Sequence, residues 1–141
     1  MLNDGLKLTG KLTIALNNEI VQEVPNLVVT AGKGYVASRM KDTSATAMSH
    51  MAIGTGSTAA AAGNTALGSE SARTALTSTT VSGADIVYVD TFAAGTGTGA
   101  ITEAAILNAS SGGTMLCRTV FSVVNKGAND AMTITWTVTV S

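Results

Sequence analysis

His50 and Cys117 are the only imidazole and the only thiol in the chain. An imidazole can act as general base toward a serine, or join other histidines, cysteines and carboxylates around a metal. Neither use finds its partners here. Ser49 is the nearest hydroxyl, and successive residues on a strand point to opposite faces, so it is expected to turn away from His50. His50 therefore reads as structural or surface. Cys117 lies in Met115-Leu-Cys-Arg-Thr-Val120, amid apolar neighbours. A reactive thiol needs an accessible, cationic setting. Arg118 is adjacent but belongs to the other strand face, so Cys117 reads as a small core residue.

Two glycine runs, Gly32-Lys-Gly34 and Gly95-Thr-Gly-Thr-Gly99, have the composition of phosphate loops. They lack the spacing of a P-loop or dinucleotide fingerprint and do not lead from a strand into a well-formed helix, so they read as turns. The nine acids are Asp4, Glu19, Glu23, Asp42, Glu70, Asp85, Asp90, Glu103 and Asp130. No two form an acid/base pair by sequence. Asp85 and Asp90 flank one strand and are expected to solvate its ends. Trp136 could stack on a sugar. Its alternation with Ile134 and Val138 instead puts it on their face, as the main aromatic of the core. No catalytic, cofactor-binding or metal-binding residue is assigned, and the chain does not read as an enzyme.

Composition narrows the remaining classes. Only 12% of the 141 residues are charged, against about 25% in an ordinary soluble domain, so Thr, Ser, Asn, Gly and Ala must cover the surface. Such a surface is poorly protected against association, which suits a subunit packed among neighbours. The net charge is −1, with eight scattered Lys and Arg. Nucleic-acid binding needs a concentrated positive field and is set aside. No apolar run approaches a membrane span. The first residues lack the basic and apolar regions of a signal peptide, so synthesis in the cytoplasm is expected.

The elements that position these residues are mostly strands. Met132-Thr-Ile-Thr-Trp-Thr-Val-Thr-Val140 alternates apolar residues with threonine throughout, giving one buried and one hydroxyl-coated face. Strands are also expected at Thr114–Val124, Ile101–Leu107 and Ile86–Phe92. The last three strands would form an antiparallel meander, joined by turns at Asn108–Gly113 and Asn125–Asp130. At the other end, Leu6, Leu8, Leu12, Ile14 and Leu16 share even positions, with Gly10 as a bend or bulge. Asn17-Asn18 turns this strand back into Ile20–Val24, and Leu27–Val29 continues it. Residues 1–25 thus read as an extended N-terminal strand or arm used in subunit contacts.

Gly34–Lys41 is the helix candidate, with Val36 and Met40 on one face. Met48–Ile53 and Arg73–Val81 read as further strands. Gly54–Leu67 has little periodicity and reads as a long loop, a length that is uncommon without a binding role. Many short strands, close turn signals and one short helix point to a single all-β domain over residues 1–141, a β-sandwich of jelly-roll type.

Several segments carry a family likeness. Met51-Ala-Ile-Gly-Thr-Gly56, Thr65-Ala-Leu-Gly-Ser-Glu70 with Arg73, Ile101-Thr-Glu-Ala-Ala-Ile-Leu107, Gly113-Thr-Met-Leu-Cys-Arg-Thr-Val-Phe121 and Ile134-Thr-Trp136 resemble small virion proteins of tailed phages. The likeness runs over residues 20–140 and rests on strand and turn patterns. Members of that group are capsid cement or decoration proteins, or parts of tails and fibres. The length is most similar to that of a jelly-roll capsid cement protein.

The resemblance implies a virion protein on the capsid exterior. Its partners would be the major capsid protein and a second copy of itself as a homodimer, with no nucleic acid, membrane or cofactor. The alternative is a tail, collar or fibre component that binds a host surface. The chain has no heptads or repeats, which favours cement over fibre. A free carbohydrate-binding module, the reading from another class, would expose several aromatics; here only Phe92, Phe121, Trp136, Tyr35 and Tyr88 exist, most in core-like positions.

Overall fold

Period-two alternation builds most of the chain into strands. The computed structural model describes residues 5–41 and 45–141. In chain order the elements are β1 (Leu8–Leu16), β2 (Glu19–Pro25), β3 (Leu27–Val28), α1 (Thr30–Lys41), β4 (His50–Gly54) and β5 (Glu70–Ala75). They continue with β6 (Ser78–Ser82), β7 (Asp85–Phe92), β8 (Gly99–Leu107), β9 (Met115–Lys126) and β10 (Met132–Val140). Two five-stranded antiparallel sheets result, ordered β2-β1-β10-β7-β6 and β3-β9-β8-β4-β5. This is a β-sandwich with one short helix.

The inner faces meet in one apolar cluster. Leu12, Ile14, Phe92, Ile134 and Trp136 of the first sheet face Met51, Ile53, Ile106 and Phe121 of the second. Trp136 is 0% exposed, as its register with Ile134 and Val138 predicts. The Asn17-Asn18 turn has φ of 51° and 68°, the left-handed pair that a two-residue hairpin requires.

β1 pairs with β10 and β3 with β9, so early strands lie beside late ones. Between these pairs the path is more local. β6 and β7 are neighbours in the first sheet, and β4–β5 and β8–β9 are neighbours in the second.

Several sequence expectations need correction. The C-terminal meander does not form: β8 and β9 pair, but β10 crosses to the other sheet and lies between β1 and β7. Leu27–Val28 does not continue β2; it changes sheets to pair with Arg118 and Cys117. The single strand expected over Arg73–Val81 is two strands, one in each sheet, separated by Leu76 and Thr77. In each case the strand character is right and the partner is not, because a local β pattern does not say which sheet supplies its neighbour.

β1 runs straight through Gly10, whose missing Cβ leaves room for the Asn26 side chain. The strand irregularity lies at Ile14/Ala15 instead. Residues 8–25 form a hairpin within the first sheet, and β1 is an interior strand paired on both sides. Met1–Asp4, the start of the expected arm, lie outside the described residues, as does Asp42.

The helix starts at Thr30, before the expected Gly34. Gly32 is buried against β9, where any side chain would collide with the Leu116 carbonyl. Val36 packs on the core, but Met40 is 80% exposed.

Candidate functional site

The centre of the second sheet is buried on both faces. Ala52, Ala105, Leu107 and Met115 form a smaller cluster with Val29 and Leu67 on its outer side. Residues 55–69, which join β4 to β5, cover this face without regular structure of their own. Such a long irregular segment needs partners for its backbone polar groups, and two charged side chains supply them.

Glu103 on β8 and Arg118 on β9 are 0% and 2% exposed. Arg118 Nη2 and Nε donate to Glu103 Oε1 at 2.9 and 3.3 Å. The Glu103 carboxylate also accepts three backbone N–H groups of the covering segment. Gly56 and Ser69 donate to Oε2, each at 2.7 Å, and Gly68 donates to Oε1 at 2.8 Å. Arg118 reaches the middle of the same segment, donating to Asn64 Oδ1 and to the Thr58 carbonyl, both at 2.9 Å.

Thr102 Oγ1 donates to the Gly56 carbonyl at 2.7 Å, and the N–H of Thr30, at the head of α1, donates to the Ala62 carbonyl at 2.8 Å. Gly56 is required because a side chain there would run into the Glu103 carboxylate. One buried ion pair thus holds both ends and the centre of the segment.

Burial by itself would raise the Glu103 pKa. The Ser69 N–H, the Arg118 guanidinium and the Gly68 and Gly56 N–H groups outweigh it, leaving the carboxyl below its ordinary value. The Glu103 carboxylate therefore keeps its charge to lower pH than an ordinary glutamate does. A buried ion pair earns no stability by existing, but removing one partner is costly. Here it gives the segment a defined shape. What the segment shows outward is uncharged: residues 55–69 contain no Asp, Glu, Lys or Arg, and most of 55–66 is exposed. Arg73 fixes an adjacent turn in the same way. It pairs with Glu70 at 2.7 Å and donates to the Ala109 and Gly112 carbonyls at 3.0 and 2.9 Å.

The residues weighed for chemistry lie elsewhere and apart. Cys117 is fully buried in the inner core, and burial pushes its thiol pKa far up. His50 opens β4. Contrary to the strand-face argument, Ser49 Oγ lies 2.7 Å from His50 Nδ1. Ser49 precedes the strand, so the alternation rule does not govern it.

Asp90 also differs from expectation. It is buried on the inner face of β7, with Thr74 and Thr77 hydroxyls donating to it at 2.5 and 3.4 Å. Burial raises its pKa and outweighs those bonds. Asp85 accepts Thr139 Oγ1 at 2.7 Å. Gly95–Gly99 forms a turn with positive φ at Gly95, Gly97 and Gly99, and Lys126 Nζ donates to the Ala93 carbonyl just before it, at 2.9 Å. Among the described residues no three His, Cys, Asp or Glu side chains are grouped to hold a metal. No described helix is long and apolar enough to cross a membrane.

Four of the five aromatic side chains, Trp136, Phe92, Tyr88 and Phe121, are buried, and Tyr35 is half-buried. No fully exposed ring is offered to a stacking sugar. An apolar cleft of about 350 Å³ opens at one end of the sandwich between α1 and the first sheet, with Tyr35, Val36, Val81 and Ile86 among its walls.

Glu103 and Arg118 were not singled out by sequence, although a signal for them was present. The expected β8–β9 hairpin sets Ala105 opposite Arg118, which leaves Glu103 diagonal to Arg118 on the same face. Opposite charges so placed, inside two apolar strands, mark a buried pair. Comparison with known protein families, curated proteins and solved structures finds no match to this chain.

Proposed function

We propose that the chain is a phage virion protein that decorates the outside of the capsid and clamps neighbouring major capsid protein subunits together. The observation that carries this reading is the covering segment 55–69: exposed, uncharged, and held in shape by a buried ion pair. A plate of small residues binds a protein surface through shape and backbone hydrogen bonds. Pre-ordering lowers the entropy cost of docking. The low overall charge supports the same reading, as does the resemblance of several segments to capsid cement proteins. Contacts to two capsid subunits at once would gain avidity, because the second contact is intramolecular. A protein that binds only the assembled shell stabilises it against internal DNA pressure.

The test uses particles assembled without this protein. They should lose DNA on heating or osmotic shock more readily than complete particles, and added protein should restore them. Ala59→Glu, on the exposed plate, should fold normally and fail to restore them. Mass spectrometry of virions should find hundreds of copies. Particles that hold DNA equally well without the protein, or binding confined to a tail vertex, would refute the reading.

A further inference from the structure

Four strands end the two sheets, and three of them are guarded. β2 carries Glu19, Glu23 and Pro25. β3 is two residues long. β5 carries Glu70 and Arg73. Charges, prolines and shortness are the usual devices that stop an edge from recruiting another strand. β6, Ser78-Thr-Thr-Val-Ser82, has none of them, and all five of its residues are exposed. Val81 is 69% exposed at the mouth of the apolar cleft.

The hairpin fixes which groups are free. Gly83-Ala84 is a two-residue turn, with Ser82 opposite Asp85, Thr80 opposite Val87 and Ser78 opposite Val89. In such a hairpin the closing pair and every second pair beyond it exchange backbone hydrogen bonds. The N–H and C=O groups of Thr79 and Val81 therefore point away from β7, toward the side where no described strand pairs with β6.

We propose that β6 pairs antiparallel with β6 of a second copy, on a two-fold axis through Thr80. This register is self-complementary. Thr79 and Val81 of one copy face Val81 and Thr79 of the other, and each pair exchanges two backbone hydrogen bonds. Thr80 meets its own counterpart as a non-hydrogen-bonded pair, and Ser78 meets Ser82. No charge opposes another, and β-branched residues lie directly across from one another, which favours pairing. The two first sheets become one ten-stranded sheet, and the inward Val81 side chains lie over the cleft mouths. This inference stands independently of the capsid reading.

Sedimentation of the full chain from micromolar to near-millimolar concentration should approach twice the 14.1 kDa chain mass. Thr80→Lys sets two like charges across the axis and should return the species to a single chain mass, while Thr80→Ser should keep the dimer. Non-hydrogen-bonded partners have Cα atoms about 4.5 Å apart, within disulfide reach. Thr80→Cys should therefore give a covalent dimer on mild oxidation that reductant reverses. Ser78→Cys, whose counterpart lies across from Ser82 instead, should not. If Thr80→Lys disturbs folding, the two cysteine variants decide the matter alone. A wild-type chain that stays monomeric throughout, or equal cross-linking from Ser78→Cys, overturns the proposal.

Discussion

Replacing Glu103 by glutamine changes one oxygen to an amide in a site that has only donors around it. Oε2 receives Gly56 and Ser69, and Oε1 receives Gly68 and Arg118. Whichever way the amide is turned, its NH₂ group faces at least two donors. Each buried donor left unmet costs about 1–3 kcal/mol, and Arg118 loses its counter-charge inside the protein. The expected loss is about 3–5 kcal/mol, the usual scale for breaking a buried ion pair by removing one partner. At about 3 °C per kcal/mol for a domain of this size, the midpoint should fall by roughly 10–15 °C.

Urea and thermal unfolding followed by circular dichroism would measure the global loss. Limited proteolysis should show new cleavage within 55–69. Adding Arg118→Met should cost less than the two single changes summed, because the stranded guanidinium goes with it. The pH dependence has a defined sign. Glu103 has a lowered folded-state pKa, so its contribution is complete above the ordinary carboxylate range and is lost as pH falls through the folded value. Stability of the glutamine variant should accordingly vary less with pH across that range. A variant within about 0.5 kcal/mol of wild type, the ordinary scatter of neutral surface changes, would refute this account of the covering segment.

Trp136→Ala should cost about 3–5 kcal/mol, and the native tryptophan emission should be blue-shifted and resist quenching by iodide, since the ring is fully buried. Cys117 should react with a thiol reagent only as fast as the protein opens, because burial both hides the thiol and raises its pKa; labelling at the rate of a free thiol would contradict this. Gly32→Ala should loosen α1 from β9 and destabilise by more than about 1 kcal/mol, against the small gain that alanine brings to an unencumbered helix, because the new methyl meets the Leu116 carbonyl. Hydrogen exchange of the helix amides would report it.

Alternation made β10 and β1 readable, since each buries one face and largely exposes the other; β7 was readable only as a run of strand-forming residues, and its buried Asp90 breaks the pattern. Partner choice was not readable, because nothing local tells β10 that it pairs with β1 and β7 while β9 pairs with β8 and β3. Arg73–Val81 shows the same limit: one weak β pattern conceals a change of sheet at Leu76-Thr77. The buried pair escaped notice for another reason. Ala104–Leu107 is an unbroken apolar run, which indicates burial on both faces. The layer covering the outer face is a segment with no periodicity, so its place over Glu103 depends on glycine contacts and carbonyl positions that exist only in three dimensions.

The pairing of β1 with β10 has a consequence in time. Ile14 lies opposite Ile134, a separation of 134 − 14 = 120 residues. At roughly 5–20 residues per second of synthesis, the β1–β2 hairpin waits about 6–24 s for the strand that completes it. Through that interval Leu12 and Ile14 have no Trp136 or Ile134 beside them, and the strand that ends up in the middle of a sheet has an open edge. Contacts this distant along the chain also slow folding after release. The nascent chain therefore spends its most aggregation-prone period with its N-terminal hairpin bare. A chaperone that holds hydrophobic hairpins should raise the soluble yield most when it engages before β10 is made.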